Sequence, residues 1–255
     1  MLPNPLLTLV VNLDRDTDRL AATIKQLSHI PTIAAERISA VLGSALADEL
    51  CFRLTKRKDP ARGTLGCFLS HAGIWRRVVD EDIAWVLVVE DDIEVDRERV
   101  RELSSLRIPA DADIVFCNSR MDPRPDRAQE DGLCAYPVRS ILPIKIAARR
   151  AVGTDGYLLS KAGAGKLVAA VERDGYAAHV DWRLLRYCLD QDVVAPLIRN
   201  TWLESGSRFR DNGVASGILT GYCLSPAPIR RRRNAGSTRK GLDAGAREAD
   251  EQPPS

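Results

Sequence analysis

WVLVVEDDIEV, residues 85–95, decides how this chain is read. From Ile83 to Val89 every side chain is apolar, and Glu90, Asp91 and Asp92 follow without a spacer. A short apolar run rich in β-branched residues predicts a strand covered on both faces, as in a parallel sheet. Three adjacent carboxylates at its end repel one another and raise one another's pKa values unless a cation compensates them. In open α/β sheets ligands gather where strands leave the sheet at their carboxyl ends, which is where this triplet stands. On an extended chain, alternation turns Glu90 and Asp92 to one side and Asp91 to the other. Two hard carboxylates on one side suit Mg²⁺ or Mn²⁺ and leave coordination positions for diphosphate oxygens. The competing reading is a solvated turn whose acids complement the dipole of a helix starting near Arg97.

Outward from this strand, β and α patterns alternate. LLTLVVNL, residues 6–13, is a second apolar run of strand length. After the polar turn DRDTD, Leu20, Ile24 and Leu27 mark a helix with Asp16 or Thr17 as N-cap and Pro31 as its stop. ERISAV (36–41) predicts a short strand, and in LGCFLSHAGIWRRVVD the residues Leu65, Leu69, Ala72, Trp75 and Val79 share one helical face. RERVRELSSL predicts a helix, DIVFCN a strand, GYLLS a strand with a helix after it, DWRLLRYCLD a helix and VVAPLI a short strand. From about Arg120 to Arg150 proline and charge break the pattern, as in an exposed loop beside or over a site. The expected fold is α/β, a mostly parallel central sheet flanked by helices in one domain over residues 1–225. The polar tail 226–255 is expected to be disordered. Its RRRR run is either solvated or in contact with anionic lipid heads or phosphate, the second giving peripheral membrane contact.

Composition removes several function classes. With 37 Lys+Arg against 35 Asp+Glu, a net charge of +2 supplies no global field for nucleic acid. Six scattered cysteines without a CxxC pair indicate neither a zinc site nor a disulfide framework, which favours a reducing compartment. No basic segment precedes the short apolar run at the N-terminus, and no stretch reaches the roughly 20 apolar residues of a membrane span. A cytoplasmic protein is expected. VVEDD also resembles the acidic pair that opens a receiver domain, but an α/β segment precedes it here. The next strand then ends in Cys117 and Asn118 instead of an acceptor aspartate, so the receiver reading fails.

VVNLDRDTDRL (10–20), GTLGCFLSHAGIW (63–75), VLVVEDD (86–92) and GYLLSKAGAGKLV with the later HVD (156–181) together resemble glycosyltransferase family 25, the lipooligosaccharide galactosyltransferase-like proteins. The resemblance implies a GT-A-like, Rossmann-type fold that binds a nucleotide sugar, commonly UDP-galactose, with a divalent metal. It implies hexose transfer, with inversion, to a lipooligosaccharide or other saccharide or glycolipid acceptor. In that frame Asn12, Arg15 and Arg19 hold the nucleotide and its phosphates, Arg19 being alternatively a structural ion pair. Asp92 is the metal ligand, and Glu90 is directed to ribose or metal. Ser70 and His71 point at the site, although a histidine satisfied inside a packed helix is an equal reading. The base that takes the acceptor's proton is Asp181, at the family's Pro-hydrophobic-Asp position with His179 for the proline, or else Asp155. Asp181 as a mere N-cap is the structural alternative. A metal- and donor-binding relative without turnover is the competing class, and a hydrolase would betray itself by releasing free sugar. An acceptor borne on lipid would bring the protein to the inner face of the membrane.

Overall fold

The computed structural model describes residues 1–58, 60–124, 132–142, 152–176, 179–199 and 214–232. Its centre is a seven-stranded sheet. The strands are Leu6–Asn12 (β1), Ile33–Ser39 (β2), Trp85–Glu90 (β3), Ile114–Phe116 (β5), Cys134–Pro137 (β6), Gly156–Ser160 (β7) and Gly221–Ser225 (β8). Ile93–Val95 (β4) and Ile229–Arg231 (β9) pair separately as a two-stranded antiparallel ribbon. The large sheet has the order β2-β1-β3-β7-β5-β8-β6. Strands β1, β2, β3, β5 and β8 run one way, and β7 and β6 run against them. The α/β, mostly parallel sheet expected from sequence is present.

The apolar run of β3 has the predicted cause. Val86 and Val88 face one core, with Phe68, Ile74 and Trp75 of helix Arg62–Asp80 (α3) and Leu167 of helix Lys161–Asp174 (α5). Leu87 and Val89 face the other, with Leu27 of helix Thr17–Leu27 (α1) and Val100 of helix Arg97–Glu102 (α4). All four are fully buried, and each contributes about 1.5–3 kcal/mol. Helix Val180–Tyr187 (α6) joins the first core through Val180, Leu184 and Tyr187. A side chain at Gly66 would meet the Val41 carbonyl at 2.6 Å, so this glycine lets α3 lie against the loop after β2.

Three local expectations are corrected, and one helix was not foreseen. VVAPLI lies in a helix, Gln191–Arg199, with Val193 and Val194 packed on the core; an apolar run this short does not separate a strand from a buried helix segment. Asp48–Thr55 forms a further helix, α2, for which the sequence reading made no provision. The irregular stretch after Arg120 contains β6, paired antiparallel with β8; residues 125–131 and 143–151 lie outside the described residues. The tail expected from Pro226 begins as β9, held by bonds from Ile229 N to Cys117 O (3.0 Å) and from Ser119 N to Ile229 O (2.8 Å). Residues 233–255 lie outside the described residues.

A carboxylate-lined cleft at the edge of the sheet

The carboxyl ends of β1 and β3, the chain after β5 and the amino end of the antiparallel β7 meet at one edge of the sheet. Glu90 N donates to Asp155 O (3.2 Å), which brings the end of β3 beside the residue before β7. A cleft of about 140 Å³ opens there, floored by Glu90, Asp91 and Asp92 and walled by α3, Asn12, Arg120 and Arg231.

The acidic triplet does not alternate. Extended structure ends at Glu90, and Asp91 and Asp92 form the turn into β4, so all three line the same cleft. Nor does the triplet start a helix: α4 is capped by Asp96, whose side chain accepts from Arg99 N at 3.2 Å. Asp91 accepts from Asn12 Nδ2 (2.7 Å) through one oxygen and from Arg19 Nη2 (2.5 Å) through the other, and its carbonyl accepts from Thr23 Oγ1 (2.9 Å). Asp92 keeps one oxygen, Oδ2, for Arg231 Nε at 3.1 Å and Arg19 Nη2 at 3.4 Å. Its other oxygen, Oδ1, is buried without a partner among the described residues. Burial, helped by the charges of Asp155 and Asp92, pushes the Glu90 carboxyl up to about 7; Arg120 and a bond from Thr154 Oγ1 (2.9 Å) oppose the shift.

Beside this floor a buried hydrogen-bond chain sets the state of His71. Trp75 Nε1 donates to Tyr157 Oη at 3.1 Å, so the tyrosine's own proton goes to His71 Nδ1 at 2.9 Å. That network assigns the His71 proton to Nε2, which faces the cleft without a hydrogen-bond partner among the described residues, 3.9 Å from Glu90 Oε1. Burial pushes the His71 pKa down to about 4, so the ring is a neutral N–H donor.

The remaining sequence candidates divide. Asn12 lines the cleft, but its Nδ2 also donates to Asp16 O and its Oδ1 accepts from Arg37 Nε (3.1 Å). Ser70 holds the cleft wall, accepting from Val41 N (2.8 Å) and donating to Gly66 O (2.7 Å). Arg15 is half-exposed, 3.9 Å from Asp16, and does not line the cleft. Arg19 combines the two readings: it makes the ion pair and lines the cleft. Asp155, 1% exposed, takes Arg120 through both oxygens (Nε to Oδ2, 2.6 Å; Nη2 to Oδ1). Asp181 lines the cleft from the first turn of α6, whose N-cap is His179 and not Asp181; its Oδ1 accepts from Trp182 N at 2.8 Å.

Glu90, Asp92 and Asp155 each bring a carboxylate oxygen within 4.8 Å of the others. The bare Asp92 Oδ1 makes this set fit a hard divalent cation, with Asp92 and Glu90 as the available ligands and Asp155 committed to Arg120. Sequence reasoning missed Arg120 and Thr154, and named Arg231 only within the RRRR run of the tail, as solvated or in contact with lipid heads or phosphate. Arg120 follows the carboxyl end of β5, a position that could have marked it. Arg231 stood in a segment whose composition pointed to a tail.

Among described residues no helix is long and apolar enough to cross a membrane, and all six cysteines are free. The family model of glycosyltransferase family 25 (LPS biosynthesis protein) matches residues 6–181, and the chain belongs to that family. Procollagen galactosyltransferase 2 of Mus musculus is 29% identical over 184 residues, 63% of this chain and 27% of that protein. A glycosyltransferase 25 family member of Drosophila melanogaster is 30% identical over 180 residues, 65% of this chain and 28% of that one. The probable inactive glycosyltransferase 25 family member 3 of Bos taurus is 32% identical over 114 residues, 43% and 18% respectively. The chain thus spans little more than a quarter of the longest-matching of these relatives.

Proposed function

We propose that this chain binds a UDP-hexose, UDP-galactose first, in the carboxylate-lined cleft. It transfers the sugar, with inversion, to a lipooligosaccharide or other surface-glycan acceptor. The observation that carries the reading is the buried Oδ1 of Asp92, without a partner among the described residues, beside Glu90 at the carboxyl edge of the sheet. Asp92 and Glu90 would hold Mg²⁺ or Mn²⁺, an ion that supplies charge compensation for a departing diphosphate. Family membership and the galactosyltransferase relatives support the donor class.

The protein's own groups have these tasks. Neutral His71 offers its Nε2 proton to an oxygen of the bound donor, and Arg19 adds positive charge at the phosphate side. Asp181 takes the proton of the acceptor hydroxyl as that oxygen bonds to the anomeric carbon, opposite the breaking bond to diphosphate. The capture of both Asp155 oxygens by Arg120 supports Asp181 over Asp155. A lipid-borne acceptor would draw the protein to the inner face of the membrane. Of the RRRR run expected to assist there, Arg231 and Arg232 are bonded to Asp92, Arg230 is exposed, and the tail from residue 233 lies outside the described residues.

A second reading, donor binding without turnover, draws support from Arg19 and Arg231, which already compensate Asp92 without a metal. Calorimetric titration with UDP, UDP-galactose and GDP, each with Mn²⁺ and with EDTA, tests both. Metal-dependent binding of the uridine ligands, lost in Asp92→Ala, supports the proposal, and binding to none of them overturns it. Binding indifferent to EDTA, with no transfer to any glycan, selects the second reading.

A further inference from the structure

Strand β9 lies beyond the segment that defines the family, yet it reaches the acidic floor. Its residues alternate: Ile229 is buried against Gly156, Arg230 is exposed, and Arg231 lines the cleft. The backbone of Arg231 stays where it is whatever its side chain does. Ile93 pairs with Arg231, Arg232 N donates to Asp92 O at 2.7 Å, and Asp96 N donates to Pro228 O at 2.9 Å. The side chain is held more lightly. Its Nε reaches Asp92 Oδ2, and the side chain is 37% exposed. The guanidinium therefore touches the best metal ligand with one nitrogen, while its terminal nitrogens have no hydrogen-bond partner among the described residues.

We infer that Arg231 is a diphosphate-binding residue that competes with the divalent cation for Asp92. The inference rests on the donor-site reading above and assigns the phosphate contact to a residue outside the family segment. With the donor absent, Arg231 neutralises Asp92. With Asp92 engaged by a cation, the guanidinium would lose the charge that holds it, and its planar fork would be free for phosphate oxygens, a geometry it matches better than an ammonium does. Arg19 cannot make this exchange freely, because the same nitrogen that reaches Asp92 is fixed on Asp91 at 2.5 Å.

The two roles give opposite signs in one variant. Arg231→Gln binds Mn²⁺ alone more tightly, by about threefold to tenfold, because a competing cation is gone. With saturating Mn²⁺ it binds UDP about tenfold more weakly, the effect of losing a charge-assisted hydrogen bond, and uridine is unaffected. Arg231→Lys keeps Mn²⁺ affinity near wild type and restores UDP binding in part. Arg230→Gln, the same charge change on the outward side of β9, alters neither. Calorimetry with Mn²⁺, UDP and uridine, and the thermal midpoint of each variant, are the readouts. Parallel weakening of Mn²⁺ and UDP in Arg231→Gln, or a midpoint that stays below wild type even with saturating Mn²⁺, makes the contact structural and overturns the inference, as does unchanged UDP binding. Wild-type protein that binds no UDP overturns the donor-site reading, and this inference with it.

Discussion

Asp91 in the floor of the cleft and Asp155 behind its Arg120 wall are fully engaged carboxylates: Asn12 and Arg19 occupy one, and Arg120 occupies both oxygens of the other. Between them the floor is unfinished, with Asp92 Oδ1 and His71 Nε2 buried and unpartnered among the described residues and Glu90 pushed towards neutrality. Buried polar groups are nearly always paired, so two unpaired ones facing one cleft mark where a ligand completes the structure. Position in sequence does not separate the groups, since Asp91 and Asp92 are neighbours. The cations that reach them do.

The largest effect tests whether Asp181 belongs to the unfinished side. Asp181→Asn keeps the size of the side chain and a carbonyl oxygen for Trp182 N, but removes the proton acceptor. Transfer in single-turnover assays falls about a hundred- to ten-thousand-fold, while UDP binding and the thermal midpoint stay as in wild type. A loss of less than about tenfold would move the base elsewhere and reopen Asp155.

Next in size is the engaged side. Arg120→Leu leaves the Asp155 carboxylate buried and uncompensated, and costs about 3–5 kcal/mol in urea unfolding at neutral pH. The double variant Arg120→Leu with Asp155→Asn recovers most of it, since no charge is left unpaired. Equal costs for single and double variants would mean that the pair contributes packing and not charge balance.

What could be read from the residues follows the same division. β1 and β3 were legible because strands covered on both faces are apolar throughout, and α3 because its buried side chains recur at helical spacing. The triplet was legible as a site, but its geometry was not: alternation presumes extended chain, and the chain turns after Glu90. His71 could be named from GCFLSHAGIW, yet its donor state depends on Tyr157, 86 positions away, and on Trp75. Arg231 was hidden for a related reason. The strand that carries it has one large apolar residue, Ile229, and gains its order from pairing with β4 and from Cys117 and Ser119, contacts that local composition does not record.

Glu90 gives a smaller effect with a definite sign. Its folded pKa stands near 7 against an ordinary 4.5, so the folded state holds the proton more tightly. Stability from the neutral carboxyl is therefore complete below about pH 4.5 and lost as pH rises through 7. Glu90→Gln keeps a neutral group at every pH. It raises unfolding free energy by about 2 kcal/mol at pH 8 in EDTA, and the gain fades to nothing by about pH 4.5. A gain independent of pH would show that the crowding of Glu90 is steric and not electrostatic, and would remove one of the three marks of an unfinished floor.

The smallest effect concerns two arginines on one loop and helix. Sequence assigned Arg15 and Arg19 the same phosphate-binding role, but only Arg19 lines the cleft, and Arg15 is 51% exposed with its nearest carboxylate, Asp16, 3.9 Å away. An exposed pair at that distance is worth little, so Arg15→Ala changes stability by less than about 0.5 kcal/mol and leaves UDP affinity within about twofold. Arg19→Ala takes one partner from Asp91 and a neighbouring charge from Asp92, and lowers both stability and UDP affinity. Charge alone would make the two variants alike, whereas position on the cleft makes them differ. Calorimetry at low and high salt separates these accounts: an Arg15 effect that appears only at low salt is a distant field, screened beyond about 10 Å, and belongs to neither side of the site.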